Sequence, residues 1–160
     1  MICLAPRARE ESVRPRRPAD ASARPLSFSV RSRVQPLLRF RAPVLDVARE
    51  PRNSINPIHG ESLLRWIGER WKGDSPMSAP APEDWGWCAD VSWAGKRYML
   101  GAACSDARTG QREWFLGVVK YRTIGEWLLG RNKMAADDAC LGEIIRLLKG
   151  EPGFQELTLL

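Results

Sequence analysis

The only histidine of the chain, His59, stands three residues before Ser62 in Pro57-Ile58-His59-Gly60-Glu61-Ser62. An imidazole that takes the proton of a hydroxyl is the working pair of nucleophilic catalysis, so His59 and Ser62 are the candidates for a hydrolase. On a helix the two would share a face. The serine lacks the glycine-flanked elbow of the GxSxG type, because position 64 is Leu, and no orienting acid is identifiable. A first-turn histidine bonded to backbone is therefore the favoured reading.

Other chemistries find less support. The cysteines, Cys3, Cys88, Cys104 and Cys140, are far apart and form no CxxC pair. Zinc and dithiol sites need close spacing, so buried reduced thiols are expected. With one histidine, a metal would rest on carboxylates, and no Ca²⁺-loop or HExxH pattern occurs. Neither metal nor cofactor is expected. Gly125, Gly130 and Gly142 are isolated and match no phosphate-cradling loop. Asp137-Asp138 suits a helix N-terminus electrostatically, and that role explains the pair without catalysis.

The seven tryptophans, Trp66, Trp71, Trp85, Trp87, Trp93, Trp114 and Trp127, are the compositional excess. Exposed tryptophans anchor protein interfaces or stack on bases. Trp87 and Trp93 belong to an apolar strand face and are expected in the core. Trp66, beside Arg65 and off the Ile67 stripe, and Trp85, next to Glu83 and Asp84, are the two expected at a partner-binding edge. Asp90 and Arg97, on the opposite face of the same hairpin, complete that candidate surface.

Charge divides the chain in two. Residues 1–50 carry 11 Arg, no Lys and five acids, which accounts for the whole net charge of +6. Residues 51–160 hold 14 basic and 14 acidic side chains. Residues 1–35 combine arginines with Pro6, Pro15, Pro18 and Pro25 and few large apolar groups, so they read as a disordered arm. Arg14, Arg16 and Arg17 are its candidates for phosphate contacts, the alternative function being nucleic-acid binding through counterion release. A transit peptide is disfavoured by Glu10, Glu11, Asp20 and the prolines. The absence of lysine favours a solvated tail, or an upstream start that appended arginine-biased sequence. Met1–Ala5 is cut off by Pro6 and Arg7, so no export signal is read, and no run approaches the roughly 18 apolar residues of a membrane span. A cytoplasmic protein without membrane contact is expected.

These residues need elements to position them. Residues 36–160 read as one domain. Leu37 to Val47 reads as a strand broken at Pro43. Asn56-Pro57 has the form of a helix start, with Ile58, Leu63, Leu64, Ile67 and Trp71 at helical spacing to about Lys72 and Gly73 ending it. Residues 73–84 read as a loop. From Trp85 to Trp93 apolar and polar residues alternate, Ala94-Gly95 supplies a two-residue turn, and Lys96–Cys104 returns. That turn sets Val91 opposite Tyr98 and Ala89 opposite Leu100 on the buried face, with Asp90 opposite Met99 and Ser92 opposite Arg97 on the other. Glu113–Arg122 is the next strand. Thr123-Ile-Gly-Glu126 is a capping box opening a helix to Leu129. Asp137 or Asp138 opens another, striped by Leu141, Ile144, Ile145 and Leu148 and stopped by Gly150 and Pro152. Phe154–Leu160 closes the chain as a strand. The order β-α-β-β-β-α-α-β predicts an α+β domain, an antiparallel sheet with helices packed mainly on one face.

The segments SINPIHGESLL (54–64), PEDWGW (82–87), DVSWAGKRYMLGA (90–102) and GRNKMAADD (130–138) resemble those of small uncharacterised bacterial proteins with an EDWGW motif. The resemblance spans residues 43–160, excludes the arm, and implies no activity. With no catalytic constellation and an excess of aromatic residues, the sequence reads best as a non-enzymatic module that binds another protein, of the adaptor or immunity type. That reading is analogy at the level of build.

Overall fold

A computed structural model describes residues 35–106 and 112–160. The arm, with Arg14, Arg16, Arg17 and Cys3, lies outside the described residues. The elements are β1 (Leu37–Arg41), a 3-10 turn (Val47–Arg49), α1 (Glu61–Arg70), β2 (Ala81–Glu83), β3 (Gly86–Trp93), β4 (Lys96–Asp106), β5 (Arg112–Lys120), α2 (Ile124–Leu128), α3 (Ala139–Lys149) and β6 (Gln155–Leu159). Six strands form one antiparallel sheet in the order β2-β3-β4-β5-β1-β6, so the domain is α+β as its alternation predicts.

The β3–β4 hairpin has the register set by a two-residue turn, with Val91 opposite Tyr98, Ala89 opposite Leu100, Asp90 opposite Met99 and Ser92 opposite Arg97. Ala94 and Gly95 both have positive φ, 49° and 70°, the backbone that matches the strand twist. Trp87, Ala89, Val91, Tyr98, Leu100, Trp114, Leu116, Leu38 and Phe40 line one buried face of the sheet. Leu63, Leu64 and Ile67 of α1 and Cys140, Leu141, Ile144 and Leu148 of α3 close over it. Removing each such side chain from water contributes about 2 kcal/mol, so this layer dominates the stability of the fold.

Three boundaries depart from the sequence reading. The strand at Leu37 ends at Arg41, and the chain turns through 43–46 into the 3-10 turn. Within the expected loop 73–84, Ala81–Glu83 forms a short edge strand on β3. The helix begins at Glu61, not at Pro57, and its N-cap is Gly60, which offers no side-chain cap. Two long-range contacts displace that start. His59 is drawn into an antiparallel bridge, with the Cys104 N–H donating to the His59 carbonyl at 2.8 Å. Asn56 caps no helix; its side chain donates to the Asp84 carbonyl at 2.8 Å.

Candidate functional site

The surroundings of His59 are built by the strap from Glu50 to Gly60. Asn53 is buried, donates to the carbonyls of Glu83 and Gly86 at 3.0 and 2.8 Å, and accepts the N–H groups of Ile55 and Asn56. The Trp87 indole N–H donates to the Ile58 carbonyl at 3.1 Å. The strap lies so close to β4 that a Cβ on Gly60 or Gly86 would stand 2.4 or 2.3 Å from the Ala102 carbonyl oxygen. Gly86 also holds φ at +147°, a conformation that an L side chain rarely adopts.

Glu50 replaces the missing cap of α1. Its carboxylate, 2% exposed, accepts the Gly60 and Ser62 N–H groups at 2.9 Å each, and His59 Nδ1 lies 3.3 Å from the same group. A carboxylate on free N–H groups at a helix start is favoured by the helix dipole as well as by hydrogen bonding. His59 thus has an acid partner, Glu50, that its distance in sequence concealed. Ser62 is not the third member of a relay: its Oγ is buried and makes no hydrogen bond. With His59 Nδ1 beside Glu50 and no hydrogen bond to the Ser62 hydroxyl, the corner acts as a helix cap and a brace between strap and sheet.

The partner-binding candidates sort into packed and bridged groups. Trp66 lies against Phe154, ring centroids 4.6 Å apart, with the Arg70 guanidinium 4.4 Å from its ring centroid. Trp85 turns onto the outer face of the sheet, where glycine makes room: a Cβ on Gly101 would stand 2.8 Å from the indole. Asp90 and Arg97, diagonal neighbours on the same face of the hairpin, meet at 3.3 Å. Tyr121 donates to the other Asp90 oxygen at 3.0 Å. Burial, then the hydrogen bond to Asp90, pushes the Tyr121 hydroxyl above its ordinary range. None of the four presents a wholly open apolar surface.

Asp138 is the N-cap of α3, accepting the Cys140 N–H at 3.0 Å, and it also holds Lys120 Nζ at 2.8 Å. Burial alone would raise this carboxyl, yet hydrogen bonds from Lys120 and the Cys140 N–H, with the lysine charge, hold it below its usual range. Burial pushes the Cys140 thiol up to about 12, which makes it inert. Cys88, Cys104 and Cys140 form no disulfide among the described residues. Among the described residues no group of three or more His, Cys, Asp or Glu side chains is placed to hold a metal, and no helix is long and apolar enough to cross a membrane.

The open apolar surface is α2. Ile124, Trp127 and Leu128 lie within about 100° of one another on the helix wheel, a stripe of the kind a surface helix buries. Here the helix is turned over. Ile124 is 81% exposed, Trp127 63%, Leu128 70% and the following Leu129 67%, and no α2 residue is buried. The polar side, at Glu126, meets Lys96 at the hairpin turn and the chain that follows the helix. Glu126 accepts the Thr123 N–H at 2.9 Å, is hydrogen-bonded by Asn132, and pairs with Lys96 at 3.7 Å. The Thr123 N–H, then Asn132 and Lys96, hold the Glu126 carboxyl below its usual range.

Trp127, which like Trp114 sequence reasoning assigned to neither core nor edge, is alone of the seven in being exposed. A signal for it existed. Four large apolar residues fall between Thr123 and Gly130, a stretch too short to carry a stripe back across the sheet. No family model, curated protein or solved structure matches the chain.

Proposed function

We propose that this protein is a non-enzymatic interaction module of the adaptor type, and that α2 with Leu129 is the surface that takes its protein partner. The observation that carries this reading is the inverted helix. Folding left Ile124, Trp127, Leu128 and Leu129 in water while turning Glu126 toward Lys96 and Asn132. Exposed apolar clusters on domain surfaces are commonly binding sites. The composition is that of an interface centre, with Trp127 and the half-exposed Tyr121 beside Arg122 and Arg131. The site moves accordingly from the Trp66 and Trp85 edge to Trp127.

The test is retention from native extract by the full chain and by the double variant Trp127→Ser/Leu128→Ser, at low and at high salt. The expected result is a discrete protein held by the wild type at high salt and lost by the variant. Equal retention by both, or none by either, overturns the reading. Sedimentation of the purified chain separates a further case: self-association that requires Trp127 would make a second copy the occupant.

A further inference from the structure

We propose that the segment docking on α2 is an acidic amphipathic one, an apolar stripe flanked by carboxylates. This rests on the α2 reading above and adds the chemistry of the partner. The argument is charge complementarity. Arg122 directly precedes the cap of α2, and Arg131 and Lys133 follow its end. The chain after Leu129 folds back on the helix, with the Arg131 N–H donating to the Glu126 carbonyl at 2.8 Å. None of these three cationic side chains makes an ion pair or side-chain hydrogen bond among the described residues.

The contrast with neighbouring charges is sharp. Lys96 is committed to Glu126, Arg97 to Asp90 and Lys120 to Asp138. Glu126, the acid within this stretch, is already engaged by its own partners. What remains is an exposed apolar centre adjoined in the chain by three cations without an ion pair among the described residues, Arg131 and Lys133 exposed and Arg122 half-buried. Unpaired charges at the rim of an apolar patch steer association and select the sign of the partner more than they add affinity. A partner with basic flanks would meet repulsion on each side of Trp127.

The experiment uses the full chain and a fluorescein-labelled helical peptide in which a leucine stripe is flanked by glutamates, with a twin in which every glutamate is lysine. Fluorescence anisotropy is followed at low and high salt for wild type, for Trp127→Ser, and for Arg122→Glu/Arg131→Glu/Lys133→Glu. The wild type should bind the acidic peptide about tenfold or more tightly than the basic twin, and the triple variant should reverse that order. Trp127→Ser should lose most of the acidic-peptide binding; binding that survives it belongs to the arginine arm and overturns the proposal. Twins bound equally, both through Trp127, overturn the acidic partner while leaving α2 a recognition surface. Absence of binding to either peptide overturns it as well. Vesicles of phosphatidylcholine and phosphatidylserine complete the test, because Trp127-dependent sedimentation with them in place of peptide binding would make the occupant a lipid surface.

Discussion

α2 and α3 are built from the same local rules and meet opposite fates. Each has a side-chain N-cap, Thr123 for one and Asp138 for the other, and each carries an apolar stripe. In α3 the stripe of Cys140, Leu141, Ile144 and Leu148 is fully buried beneath the sheet. In α2 the stripe of Ile124, Trp127 and Leu128 is the most exposed apolar surface among the described residues. Periodicity states that a helix has an apolar side, and length decides whether that side reaches the core. The polar contacts differ in the same way: Asp138 pins α3 to β5 through the buried Lys120, whereas Glu126 meets Lys96 at the surface.

The comparison breaks most directly by truncation of one leucine on each helix. Leu148→Ala should cost about 3 kcal/mol, the lost transfer energy plus a residual cavity. Leu128→Ala should change stability by less than about 0.5 kcal/mol. Urea denaturation of both variants decides, and an equal penalty would mean that the α2 stripe is packed after all.

Asp138→Ala tests the pinning of α3. It removes a cap and leaves Lys120 largely buried without its carboxylate, at about 2–3 kcal/mol near neutral pH. The folded Asp138 carboxyl titrates below its unfolded value, so its contribution is present above the ordinary carboxylate range and is lost as pH falls through the folded value. For Lys120, burial lowers the ammonium, but the hydrogen bonds to Asp138 and Tyr98, together with the Asp138 and Tyr98 charges, outweigh it and hold the group above its usual range. The lysine contribution is accordingly complete below its unfolded value and is lost as pH rises through the folded one. Wild type and variant should therefore differ most between those limits and converge in acid. A gap unchanged at about pH 3 would contradict the ion pair.

The smallest effect belongs to Thr123→Ala. The capping box holds α2 alone, so about 1 kcal/mol of local helix stability is at stake while the global midpoint stays in place. Faster amide exchange at Trp127 and Leu129, whose N–H groups donate to Thr123 and Gly125, is the readout.

What could be read from the sequence was local. The β3–β4 register followed from Ala94-Gly95 and alternation, the α2 cap from Thr123 and Glu126, and the α3 stripe from its period. What could not be read came from distant partners. Asn56-Pro57 looks like a helix start, but Glu50 caps α1 at Gly60, and Cys104 takes the backbone of His59. Trp85 reads as an edge residue until Gly101, on the neighbouring strand, leaves room for its ring. The orientation of α2 was hidden for the same reason, since Glu126 answers to Lys96 across the hairpin.

The position of β1 has a consequence for the order in which the molecule assembles. Leu37–Arg41 leads the described residues, yet it lies between β5 and β6, with Leu37 opposite Gly117 and Leu38 opposite Leu159. During synthesis it must wait for nearly the whole remaining chain, while β3, β4 and β5 pair through shorter connections as they emerge. Loop closure makes the late pairing the slow one. Until it occurs, the edge of β5 with Phe115, Val118 and Val119 is an unpaired template, the point at which a nascent chain is most open to joining another.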